Sequence, residues 1–215
     1  MNRSLARQAG AYIRSAPLTY IYLFVLLITT WALQTASASV GRKLLIEQST
    51  NLHDLSRDPI RVLVGSAFWL TSSGQLFTWA VLFTLVMAPV ERWLGSLRTG
   101  ITFALGHIGA SLITAAGLWL AIDIDLVPHR IAHAVDVGAS YGFFAVAALL
   151  VFRLEDREKM LSALALAALF AVVAGGGLTF TAFGHLVALA IGLGAAQVMA
   201  RGRWLDRRLR YRSSG

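Results

Sequence analysis

Asp136-Val137-Gly138-Ala139-Ser140-Tyr141-Gly142 opens one long apolar stretch, and Phe183-Gly184-His185-Leu186 opens another. A serine and a histidine thus hold matching places in two hydrophobic segments. Each is flanked by residues small enough to let helices touch. Gly138, Ala139 and Gly142 surround Ser140, while Gly184, Ala188 and Gly192 form a small-xxx-small ladder beside His185. Such ladders let helix backbones approach closely in lipid. Gly192 is seven residues after His185 and so shares its helical face. A serine in a membrane helix commonly bonds to its own backbone. A histidine inside a span is rarer and more costly, which makes it a functional candidate.

The composition places this pair in a membrane. The 215-residue chain is 57% hydrophobic and 14% charged, with mean hydropathy +0.66. A soluble domain carries about 45–50% apolar and about 25% charged residues. Crossing a hydrocarbon core of ~30 Å takes ~20 residues of helix. Spans are expected over 18–33, 75–90, 100–122, 137–152, 161–173 and 180–200, giving an all-α bundle of six transmembrane helices over 17–200. A basic segment, 1–16, precedes the bundle, and a basic tail, 201–215, follows it. A first loop of about 36–62, with short amphipathic pieces at the interface, separates the first two spans. Asp58-Pro59 starts a new element, since proline suits a first helical turn.

With both termini inside, 14 of the 19 Lys and Arg residues fall on the cytoplasmic side and 5 outside, as the positive-inside rule asks. The formal charge of +8 therefore reflects span ends and argues against nucleic acid as a partner; membrane lipid is the partner it implies. There is no cysteine, which excludes disulfides and thiolate-bound metals. His129 and His133 have i, i+4 spacing with Asp136 three residues later. They lack a fourth ligand and read as a solvated helix start, so no metal and no cofactor is expected. Asp136 reads as an N-cap of the fourth span, with a contact to His185 as the lesser option. His107 reads as a packed polar residue near the inner face, away from Ser140.

In this topology the fourth and sixth spans run in the same direction. Ser140 and His185 each fall about 7 Å below the outer ends of their helices at 1.5 Å per residue. The expected chemistry is a dyad: imidazole takes the hydroxyl proton as serine attacks a carbonyl, then returns it to the leaving amine.

The pattern resembles the rhomboid family of intramembrane serine proteases, in a divergent bacterial branch, over about 58–197. Gly138-Ala139-Ser140-Tyr141 resembles the family's Gly-x-Ser-Gly motif, and His185 with Gly192 resembles the histidine and trailing glycines of its sixth span. Val90-Glu91-Arg92-Trp93-Leu94-Gly95-Ser96 is similar to the turn after the second span, and Pro59-Ile60-Arg61 to the Pro-Trp-Arg that closes the first loop. The resemblance implies a multi-pass protein of the bacterial inner membrane. It implies cleavage of membrane-anchored protein substrates near the outer face by Ser140 and His185, with Phe144 packed on the histidine.

Two departures stand out. Tyr141 replaces the glycine after the serine. The His-x-x-x-Asn pair near the family's oxyanion hole falls on Gln75 and Trp79, of which only Gln75 can donate through an amide. A rhomboid-like pseudoprotease that binds transmembrane helices without cutting is the alternative. A transporter or channel is disfavoured by the scarcity of ionisable residues within the spans.

Overall fold

Proline and polar punctuation decide where the helices start. The computed structural model describes residues 3–151, 156–174, 177 and 179–213, and every regular element among them is helical. Helix α1 (Arg3–Arg14) stops before Pro17, which opens α2 (Pro17–Thr35). Two short helices, α3 (Ala38–Glu47) and α4 (Leu52–Arg57), occupy the first loop. Asn51 caps α4 by accepting from the Asp54 amide at 2.9 Å. Pro59 lies at the first turn of α5 (Pro59–Gly65), and Asp58 caps it by accepting from the Arg61 amide. A single 3₁₀ turn, Ser66–Phe68, follows.

The second apolar region is one helical column in three parts. These are α6 (Ser73–Leu82), a π-helical stretch (Phe83–Met87) and α7 (Ala88–Leu94). Pro89 lies just after the widened turns and has no N–H to donate back along the helix, which explains an irregularity there. Gly95, at φ +86°, reverses the chain into α8 (Ser96–Asp123). Then come α9 (Ser140–Val151), α10 (Arg157–Ala174) and α11 (Phe180–Ser213).

Among the described residues, four segments are long and apolar enough to cross a membrane: Pro17–Thr35, Ser73–Leu94, Ser96–Asp123 and Phe180–Arg201. This is a multi-pass integral membrane protein. The expected fourth span is corrected. It begins at Ser140 rather than Val137, and its 12 described residues cover about 18 Å of the ~30 Å core. The expected end at Phe152 lies outside the described residues. The basic tail, expected as a separate segment, continues α11 as helix to Ser213.

The described part of α9 is wrapped by protein. Tyr141 to Val146, Ala148, Leu149 and Val151 are all buried, as for a helix that is apolar on every side. The glycines set how closely its neighbours come. A Cβ at Gly106 of α8 would overlap Ala145, and one at Gly142 would enter the Phe103 ring. On α11, a Cβ at Gly184 would strike the Tyr141 ring and one at Gly192 the Ala145 carbonyl oxygen. Gly184 facing Tyr141 and Gly192 facing Ala145 and Ala148 make α9 and α11 parallel. Gly117 beside Phe183 and Gly109 beside Ile191 make α8 antiparallel to α11.

The Gly192 contact gives a direct test. Backbone cannot swing aside as a side-chain end can, so Gly192→Leu is expected to cost about 3 kcal/mol, the upper end for overpacked cores. Thermal unfolding in detergent measures it. An unchanged melting temperature would mean that α9 and α11 do not meet there.

Candidate functional site

Ser140 is the first residue of α9, and the chain before it is not helical. Its amides and carbonyls are committed elsewhere. The Asp136 N–H donates to Ser49 Oγ at 2.7 Å, and the Asp136 carbonyl accepts from the Thr50 N–H at 3.0 Å. The Gly138 N–H donates to the Ser66 carbonyl at 2.9 Å. Irregular backbone in a membrane bundle persists where protein satisfies it, and here two segments of the first half of the chain do so. Gly138 itself sits at φ +140°, a conformation suited to glycine.

His185 is the sixth residue of α11 and is 1% exposed. Phe144 packs against it with tilted rings, centroids 4.5 Å apart, and the Tyr141 ring meets it edge-on at 5.4 Å. Ser140 and Phe144 are i, i+4 neighbours on one face of α9, so the face that touches His185 is the face that begins with Ser140. The two residues do not lie equally far into their helices, as the sequence suggested: Ser140 is at the helix start, and His185 is about 7.5 Å along its own. Ser140 is half-buried, and its hydroxyl has no hydrogen-bond partner among the described residues.

Asp136 lies four residues before the start of α9. Its carboxylate accepts from the Thr50 hydroxyl at 3.1 Å and from the Tyr141 hydroxyl at 3.2 Å. Withdrawal from water pushes this carboxyl above its ordinary value, and the Thr50 and Tyr141 donors act the other way. Tyr141 therefore links the acid to the imidazole, with its ring beside Gly184 and its hydroxyl on Asp136. A glycine after the serine would leave that space empty.

Gln75 is the residue expected as an amide donor. It is exposed at the start of α6, and its Oε1 accepts from the Thr71 N–H at 3.0 Å. Trp79 packs into an aromatic cluster, 5.8 Å from Phe83 and 5.3 Å from Phe143. Behind Phe144 lies an apolar cavity of about 750 Å³, lined by Leu82, Val86, Phe143, Ala147 and Phe170 among others. It lies between the second helical column, α9 and α10.

His107 is not remote from Ser140, contrary to the sequence reading. Its Nε2 is 3.0 Å from Ser66 Oγ, and its ring is 6.3 Å from that of Tyr141. Nothing local in the sequence joins Ser66 to His107, since 41 residues separate them. Near the other end of α8, His53, Asp123, His129 and His133 line a cavity of about 320 Å³. The His53 and His133 rings are 5.0 Å apart. Among the described residues, no three His, Asp or Glu side chains converge to hold a metal ion.

The family model described as "Rhomboid-like protein" matches residues 11–205. No curated protein and no solved structure gives a match.

Proposed function

This chain belongs to the rhomboid-like protein family, and on that premise we propose that it is an intramembrane serine endopeptidase with Ser140 as nucleophile and His185 as general base. The observation that carries this reading is the contact of Phe144 with His185, ring centroids 4.5 Å apart and planes tilted by 40°, which sets the imidazole against the face of α9 that Ser140 begins. In the proposed reaction His185 takes the Ser140 proton as Oγ attacks the scissile carbonyl. The proton then passes to the leaving amine, and water later releases the acyl group. The first amides of a helix have no intrahelical acceptor and lie at the positive end of its dipole. The start of α9 therefore supplies donors for the oxyanion where Gln75 and Trp79 do not. Catalytic hydrogen bonds commonly tighten only with substrate bound, so the Ser140–His185 bond is expected to close in the substrate complex.

The substrate is a membrane-anchored protein whose helix unwinds near the outer face, since a helical backbone hides its carbonyls. The enzyme is placed in a bacterial inner membrane with six spans, α9 and α10 completing the four longer ones, and with both termini cytoplasmic. Reporters fused after Arg201 and inserted at Asp125 should then read opposite sides of the membrane. A shared side would put Ser140 at the wrong face.

Reconstituted protein should cleave a single-span substrate carrying helix-breaking residues at its outer end, and Ser140→Ala should not. Equal cleavage by the two would remove Ser140 from the mechanism. The second reading, a pseudoprotease that binds transmembrane helices, is favoured by Gln75 being tied to Thr71 and Trp79 to its aromatic neighbours. It predicts capture of that substrate without cleavage.

A further inference from the structure

We propose that Ser66 and His107 form a positioning clamp that fixes the loop carrying Ser140, a role that rests on the protease reading above. Gly138 is two residues before the serine and, as glycine, is free to adopt many backbone conformations. One bond holds it from the side of α8: its N–H donates to the Ser66 carbonyl at 2.9 Å. Ser66 lies in the short turn after α5 and is 0% exposed. Its hydroxyl is held in turn by His107 Nε2 at 3.0 Å. From the other side, Ser49 and Thr50 hold Asp136. The Ser140 loop is thus pinned at both ends of Asp136-Val137-Gly138, and the α8 pin is a side-chain pair.

Packing alone does not account for a histidine at this place. His107 is 4% exposed, and its Nδ1 meets no partner in good hydrogen-bond geometry among the described residues, with the Leu63 backbone close to the ring. A buried polar atom without a partner costs stability, and an apolar side chain of similar shape avoids that cost. The histidine is explained by what its other nitrogen holds. Nor does Ser66–His107 read as a second nucleophile pair, because both residues are buried and neither lines the two cavities described above. His107 is a positioning residue that acts on Ser140 through Ser66 and Gly138.

The test compares wild type with His107→Phe, His107→Gln and Ser66→Ala in detergent. Labelling with valine ¹³C-carbonyl and glycine ¹⁵N selects only three amides, those of Gly41, Gly65 and Gly138. Gly41 and Gly65 lie in α3 and α5 and serve as internal controls. In His107→Phe the Gly138 amide should exchange with solvent at least about fivefold faster, the order that one net hydrogen bond carries, while Gly41 and Gly65 stay as they were. Its melting temperature should fall modestly, because the buried Ser66 hydroxyl loses its partner. His107→Gln, whose terminal amide can replace Nε2, should restore protection; Ser66→Ala should behave as His107→Phe does.

The second readout is the rate of Ser140 labelling by a phosphonate. The maximal rate should fall about 10²-fold in His107→Phe, the scale of a small misplacement of reacting groups, with the half-saturating concentration unchanged. Unaltered Gly138 exchange in His107→Phe would overturn the clamp. Faster exchange with unaltered labelling would overturn the positioning role. Wild-type protein that takes no label at all would overturn the protease reading, and the exchange experiment would still decide the clamp.

Discussion

Glu91→Ala is expected to lower unfolding free energy by about 3–5 kcal/mol, the scale of breaking a buried charged network. The Glu91 side chain is 2% exposed between α7 and α8. Its oxygens accept from the Leu18 and Thr19 amides at 2.8 Å, from the Thr19 hydroxyl at 2.7 Å and from the Ser96 hydroxyl at 2.6 Å. Leu18 and Thr19 are in the first turn of α2, where Pro17 leads and the following amides have no intrahelical acceptor. A carboxylate from a distant turn therefore caps the first long helix and complements its dipole. Alanine would strand two amides in a bundle surrounded by lipid, each costing about 1–3 kcal/mol. Glu91→Gln keeps one acceptor oxygen and should fall between the two. Thermal and denaturant unfolding measure the series. A Glu91→Ala protein as stable as wild type would mean that α2 is not anchored through this residue.

That anchor shows where local reading stops. The hydrophobic runs give most helix positions within a few residues, because burying an apolar helix in lipid requires length and composition that a sequence displays openly. Pro17, Pro59 and Gly95 mark starts and a reversal for reasons of backbone geometry alone. Glu91, by contrast, reads as one charge in a short polar turn, and its partners lie 72 and 73 residues away. The same holds for Ser66 and His107. Each is an ordinary residue in its own segment, and the pair exists only once α8 passes the turn after α5.

The start of α9 failed for a related reason. Val137, Gly138 and Ala139 are apolar or small and continue the hydrophobic run, but their neighbourhood is bonded to Ser49, Thr50 and Ser66, which keeps it from joining the helix. In the site itself, the i, i+4 relation of Ser140 to Phe144 and the glycine ladder of α11 are sequence features. The Tyr141–Asp136 bond and the diversion of Gln75 to Thr71 are not, because each depends on where a side chain turns.

The largest effect expected on chemistry is complete loss of phosphonate labelling in Ser140→Ala. On an activated phosphonate the serine oxygen displaces a leaving group such as fluoride from phosphorus while the base takes its proton, and the adduct mimics the tetrahedral intermediate, so labelling reports an activated hydroxyl. Removal of the base is expected to slow labelling by about 10²–10⁴-fold in His185→Ala, the usual contribution of a positioned general base. Labelling depends less than peptide cleavage on a full set of oxyanion donors, each worth ~10²–10³-fold. It therefore separates a weak enzyme, short of donors because Gln75 and Trp79 are engaged elsewhere, from a protein whose dyad never closes. Intact-mass spectrometry of purified wild type, Ser140→Ala and His185→Ala after exposure to the probe is the most direct measurement. One adduct on wild type, none on Ser140→Ala and a trace on His185→Ala is the predicted result; identical masses for wild type and Ser140→Ala would contradict it.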